Sequence, residues 1–156
     1  MKTLILYATK HGAAGEAARR IAGRMGAAAI HDLKQGEAPS LAGFDCVIVG
    51  SSLYAGAIRK EAKAFLAQHA GALQGKKYGL FLVGMDAGRE GEFFRANFAP
   101  EVLQSAAAAS FLGGIFDPKK ANFLERLVVR AVAKTSAYFD AIDDDKIDRF
   151  VAELTK

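Results

Sequence analysis

The chain has a single cysteine, Cys46, among its 156 residues. This scarcity excludes an internal disulfide and any metal site built from several thiolates. No apolar run reaches the roughly 18 residues that a membrane-spanning helix needs. The first residues also lack the apolar core and the small-residue cleavage site of a secretory signal. These absences predict a cytoplasmic protein. Its three scattered histidines have no metal-ligand spacing, so we expect no metal site.

The composition is typical of one globular domain. Apolar residues make up 51% of the chain and charged residues 24%, a balance that lets a chain of this length bury one core. The formal net charge is +4, a modest excess that is compatible with an anionic partner. We therefore expect a single domain over 1–156. Although the charge permits an anionic partner, its excess is small, and we expect no nucleic-acid partner.

Apolar segments with two different periodicities alternate along the chain. Continuous apolar runs predict strands buried on both faces, and with shorter apolar segments they give five strands, at 3–7, 28–33, 44–50, 77–84 and within 107–116. Helical spacing predicts helices at 14–25, 58–69, 93–103, 123–133 and 146–154, with a break or kink at Pro100. The alternation implies an α/β fold with a doubly wound, five-stranded parallel sheet and helices on both faces. Ligands of such sheets bind beyond the carboxyl ends of the strands.

The loop after the first predicted strand has the composition of an anion site. It reads Ala-Thr-Lys-His-Gly-Ala-Ala-Gly and leads directly into a predicted helix, whose N-terminus favours phosphate. Gly12 lets the backbone approach an anion, Thr9 offers a hydroxyl, and Lys10 and His11 add positive charge. A tight turn with an ordinary helix cap is the alternative interpretation of the same residues.

This loop resembles the phosphate loop of the flavodoxin family, Thr/Ser-x-Thr-Gly-x-Thr. Thr9 and Gly12 match the pattern, whereas His11 and Ala14 stand where hydroxyl residues are usual. The glycine patterns of dinucleotide-binding and P-loop proteins are absent, as are the acidic residues of a response-regulator receiver. The resemblance implies a flavodoxin-like fold, FMN as the cofactor, and a phosphate site formed by Thr9, Lys10, His11, Gly12, Ala13 and Ala14.

Two further loops are expected to hold the flavin ring, although a plain turn and a solvated loop remain alternatives. After the third strand, small residues surround Tyr54, which can stack on a ring. After the fourth, Asp86 can accept a hydrogen bond from the flavin and Arg89 can favour a reduced, anionic flavin. The cofactor-binding residues predicted here are Ser51, Ser52, Leu53, Tyr54, Ala55, Gly56, Met85, Asp86, Ala87, Gly88 and Arg89.

An extra helical segment, about 117–140, separates the fifth strand from the last helix. Its predicted helix has an apolar stripe beside the basic residues Arg126, Arg130 and Lys134. Together with the opening Met-Lys-Thr-Leu-Ile-Leu, the Gly-Ser-Ser loop and Gly-Gly-x-Phe-Asp-Pro at 113–118, this segment is similar to the bacterial quinone-dependent protoporphyrinogen dehydrogenase family. We expect 119–134 to form an interaction surface rather than cofactor contacts. Packing of the apolar stripe against the domain is the alternative.

The resemblance implies an FMN-dependent oxidoreductase or electron-transfer protein. Its partners would be a redox protein, a quinone or a small-molecule substrate. Segment 119–134 would add peripheral contact with the inner face of the cell membrane. Two alternatives stay open at this point: a plain flavodoxin electron carrier, and a non-redox binding module that has lost FMN. No residue is predicted to be catalytic.

Overall fold

The structure, a computed structural model, describes every residue from Met1 to Lys156. Five parallel strands form the main sheet in the order β2-β1-β3-β5-β6, with a short β4 paired antiparallel to β3. Their bounds are β1 Thr3–Ala8, β2 Ala28–Asp32, β3 Cys46–Tyr54, β4 Ala57–Ile58, β5 Lys77–Val83 and β6 Ala108–Phe111. The predicted doubly wound, flavodoxin-like order is confirmed.

Six helices flank this sheet. They are α1 Ala13–Met25, α2 Lys60–Gln74, α3 Glu90–Asn97, α4 Pro100–Ser105, α5 Phe123–Ala133 and α6 Asp144–Thr155. A two-stranded hairpin, β7 Ile115–Phe116 with β8 Phe139–Asp140, brackets the extra segment that contains α5. None of the helices combines the length and the apolar character needed to cross a membrane.

The sheet separates two apolar cores. Because side chains alternate across a strand, Leu4 and Leu6 face the core under α2 and α3, whereas Ile5 faces the core under α1 and α6. The same alternation divides β3 and β5, and this double burial explains why their sequences are almost continuously apolar. Cys46 lies in the second core, where burial raises the pKa of its thiol to about 11.

One predicted break is confirmed, and one predicted element differs from the structure. The helical segment 93–103 breaks at Pro100 as predicted, because Pro100 begins α4 at the position where its missing N–H costs nothing. Asn97 closes α3 and bonds Gly56 and Ile58 beside it. The predicted fifth strand is split into β6 and β7, because the backbone turns at Gly113 with φ near +88°.

Candidate cofactor site

The carboxyl ends of β1, β3 and β5 open onto one cavity of about 360 Å³. The cavity lies where the strand order reverses, since β1 has β2 on one side and β3 on the other. All three predicted loops contribute to its walls. The residues that sequence analysis placed in the site and that line it are Thr9, Lys10, His11, Ala13, Ser52, Leu53, Tyr54, Ala55, Gly56, Met85, Asp86 and Arg89.

Five predicted residues do not line this cavity. Gly12 faces a neighbouring polar pocket, Ala14 is buried in the core, and Ala87 and Gly88 lie exposed in a short turn. Ser51 is also buried: its hydroxyl accepts the N–H of Arg59 and donates to the carbonyl of Ser52. Both bonds hold the Ser51 hydroxyl inside the loop, so this predicted cofactor-binding residue does not present its hydroxyl to the cavity.

The loop after β1 presents unpaired backbone donors. Gly12 has φ near +101°, and the Thr9 hydroxyl accepts the N–H of Gly12 at 2.9 Å and that of Ala14 at 3.4 Å. The N–H groups of His11, Ala13 and Gly15 have no acceptor within the chain. Free N–H groups at a helix start form a binding site for an anion, so this loop fits a phosphate even without the hydroxyls missing at 11 and 14.

The charged side chains of this loop are held by a residue that sequence analysis did not place in the site. The Nζ of Lys10 lies 2.6 Å from one carboxylate oxygen of Glu125, and Nε2 of His11 lies 2.7 Å from the other. Burial raises the pKa of Glu125, but the hydrogen bonds from Lys10 and His11 outweigh it and hold that pKa below its usual value. Glu125 is therefore ionised at neutral pH.

The loops after β3 and β5 provide the walls suited to a flat ring. The Nζ of Lys10 sits over the Tyr54 ring, 3.7 Å from its centroid, and the backbone N–H of Lys10 donates to the Ser52 hydroxyl. Arg89 pairs with Glu92 on the surface while its guanidinium lies over Phe93. Two aromatic rings beyond the predicted loops, Phe93 and Phe116, also line the cavity.

The helix α5 closes the fourth side of the cavity. Its inner residues Leu124, Val128, Val129 and Val132 line the cavity together with Glu125. Of these, only Val129 is fully buried, and the remaining apolar stripe is open, with Phe123 exposed by 71% and Leu124 by 60%. One face of α5 is therefore a cavity wall, which the sequence analysis did not predict, and the expectation that 119–134 makes no cofactor contacts stays a prediction. The alternative that the stripe packs against the domain is wrong for most of its length.

The chain is similar to flavodoxins in sequence pattern and in fold. A model of the flavodoxin domain family matches residues 4–142. A short-chain flavodoxin associated with a non-canonical PDU bacterial microcompartment superposes with a TM-score of 0.64 at 17% identity, covering 99% of this chain and 97% of that one. A flavodoxin of Streptococcus pneumonia TIGR4 gives 0.59 at 16% identity, with coverage of 99% and 98%. Oxidised flavodoxin 1 of Bacillus cereus gives 0.57 at 15% identity, with coverage of 99% and 97%.

Among curated proteins, none is similar enough in sequence to match the chain. The structural neighbours share the fold, and the family match extends from β1 to the residues just before α6. The cavity lies where the strand order reverses, and the unpaired N–H groups of its first loop fit a flavin phosphate. The chain belongs to the flavodoxin domain family, and its cofactor is FMN.

Proposed function

We propose that this protein is an FMN-dependent oxidoreductase that acts on an apolar substrate, resembling quinone-dependent protoporphyrinogen IX dehydrogenase. The observation that carries the proposal is the apolar wall that α5 adds opposite the ring-binding loops. An electron carrier needs only an exposed ring edge, whereas an enzyme needs a surface for its substrate. Leu124, Val128 and Val132 supply such a surface, and each is about half exposed.

Different parts of the cavity wall would have different roles. Bound FMN supplies the electron chemistry. The backbone from His11 to Gly15 would hold its phosphate, and the loops at Tyr54 and Asp86 would hold its ring. The apolar face of α5 would keep water from the substrate side of the ring. An electron acceptor, either a quinone or a partner protein, would complete the reaction.

Two variants of α5 test the enzyme proposal against a plain electron carrier. Val128→Asp places a charge in the cavity wall, whereas Leu127→Asp places the same charge on the same helix outside it. With porphyrinogen as the electron donor and a quinone as the acceptor, we expect Val128→Asp to lose most turnover and Leu127→Asp to retain it, with FMN content equal in both. A wild-type holoprotein that exchanges electrons with a flavodoxin reductase but never oxidises porphyrinogen would identify a carrier. A purified protein without bound flavin would favour the non-redox module.

We also propose that segment 119–134 attaches the protein to an anionic membrane. Lys119, Arg126, Arg130 and Lys134 form no ion pair and surround the exposed apolar stripe of α5. Each basic residue near an anionic leaflet contributes about 1 kcal/mol, and salt screens the attraction. The helix is too short to cross the bilayer, so the attachment would be peripheral.

Charge reversal on α5 is expected to abolish this attachment. The triple variant Arg126→Glu, Arg130→Glu, Lys134→Glu should stop sedimenting with vesicles in which about one third of the lipid is anionic. Its FMN content should stay unchanged. A triple variant of exposed basic residues on other elements, Lys60→Glu, Lys63→Glu, Lys77→Glu, provides the control and should still sediment. If the wild type stays in the supernatant at low salt, the helix does not bind membranes.

Tyr54 is expected to stack on one face of the flavin ring. Replacing it by alanine removes a contact worth on the order of 1 kcal/mol, so FMN affinity should fall several-fold and the fluorescence of bound flavin should rise. Tyr54→Phe keeps the ring and should behave like the wild type. Fluorescence titration measures both effects, and an unchanged affinity in Tyr54→Ala would place the flavin ring away from this loop.

A further inference from the structure

Glu125 binds both basic side chains of the phosphate loop at once. Each of its carboxylate oxygens lies within 2.7 Å of one partner, Lys10 or His11, and its side chain is only 15% exposed. The two ion pairs join positions 115 and 114 residues apart in the chain. They tie α5 to the loop that fits the FMN phosphate.

We propose that Glu125 is an internal competitor of the FMN phosphate, so that phosphate binding at Lys10 and His11 releases α5 from the loop after β1. The inference rests on the assignment of FMN to this cavity and does not depend on which substrate is oxidised.

Glu125 and an FMN phosphate would bind the same two side chains, Lys10 and His11. A phosphate dianion at the start of α1 would draw on the positive charge of Lys10 and on a hydrogen bond from His11, because the loop lacks two of the usual hydroxyls. Lys10 also lies over the Tyr54 ring, so its side chain links α5 to the ring-binding loop. A phosphate cannot draw Lys10 and His11 to itself while both side chains are bound to Glu125.

The attachment of α5 depends strongly on these ion pairs. The bonds of Glu125 are the only ion pairs that α5 makes, and Val129 is its only fully buried residue. The remaining side-chain link from 119–134 to the rest of the domain is a long contact of 3.4 Å between Nζ of Lys120 and the carbonyl of His11. Loss of the Glu125 contacts would therefore leave α5 held mainly by Val129 and by the flanking β7–β8 hairpin, with its amides less protected.

The substitution Glu125→Gln isolates the charge. Glutamine has the same shape and is accepted equally well at the third position of a helix, where the side chain of Asn122 caps the N–H of residue 125. Competition predicts that this variant binds FMN roughly three- to tenfold more tightly than the wild type, since partly exposed ion pairs contribute up to about 1 kcal/mol each. Its affinity for riboflavin, which has no phosphate, should be unchanged. Glu153→Gln, which breaks a surface pair with Lys156 on α6, is the matched control and should change neither affinity.

Hydrogen exchange of the amides of 123–133 provides a second measurement on the wild-type chain. FMN at saturation should speed exchange in α5 relative to saturating riboflavin. Glu125→Gln should exchange fast with either flavin, because its α5 is already released.

Three results would overturn the proposal. Weaker FMN binding by Glu125→Gln would make Glu125 a residue that positions Lys10 and His11 for the phosphate. Equal changes for FMN and riboflavin would assign its effect to the ring. Unchanged affinities together with exchange that does not respond to FMN would remove Glu125 from any role in flavin binding. A failure to oxidise porphyrinogen would contradict the proposed function, yet it would leave these binding ratios intact, so the two failures are distinguishable.

Discussion

Gly12→Asp is expected to lower FMN affinity at least about 100-fold, a loss of roughly 2.7 kcal/mol of binding free energy. Three effects act together at this position. The backbone φ near +101° strains any side chain, the new carboxylate repels the phosphate, and a side chain blocks the backbone approach that the loop offers to an anion. The new carboxylate would also reach Lys120, whose Nζ lies 3.9 Å from where a Cβ at residue 12 would stand.

Gly36→Asp controls for strain and added charge. Gly36 has φ near +117° and open space around its missing side chain, and it lies outside the cavity. The control should lose a comparable amount of stability but keep its FMN affinity. Riboflavin should bind Gly12→Asp within a few-fold of the wild type, because it carries no phosphate. Isothermal titration with both flavins measures this contrast. Normal FMN affinity in a folded Gly12→Asp protein would move the phosphate away from this loop.

The sequence carries the fold mainly through periodicity. Continuous apolar runs in β3 and β5 locate the centre of the sheet, because only strands covered on both faces can be apolar at every position. Asp143 marks the start of α6 by capping the N–H of Lys146. The break near Pro100 is also a local signal, because proline cannot continue a helix. The bond from Asn97 to the carbonyl of Gly56 is not, since no local pattern indicates a partner 41 residues away.

Part of the candidate site could likewise be predicted from local sequence, and part depends on distant contacts. The three loops after β1, β3 and β5 could be located from the sequence, because each apolar strand leads into a loop that contains glycine. The position of α5 could not, since its helical pattern says where its apolar stripe lies but not what it faces. Two distant contacts fix it: the ion pairs of Glu125 with the first loop and the burial of Val129. The inward turn of Ser51 depends likewise on Arg59, a partner beyond the loop.

Gly50→Ala is expected to destabilise the fold by about 3 kcal/mol, near the upper end of the range for overpacked cores, and to lower the melting temperature by roughly 6–12 °C. Gly50 lies in the middle of the sheet beside Phe81, its register partner on β5. A Cβ there would stand 2.0 Å from the edge of the Phe81 ring, well inside van der Waals contact. That ring cannot move freely, because it is fully buried and its neighbour Phe150 contacts it edge-on.

Three further variants isolate the cause of this loss of stability. Gly71→Ala changes an exposed helical glycine with open space around it, so it should raise stability by about 0.5–1 kcal/mol through backbone entropy alone. Phe81→Leu removes the ring atoms that the new methyl would meet. In the double variant, Gly50→Ala should therefore cost at least about 1 kcal/mol less than it costs alone, and denaturant unfolding measures that coupling. Additive losses would show that the ring is not what Gly50 makes room for.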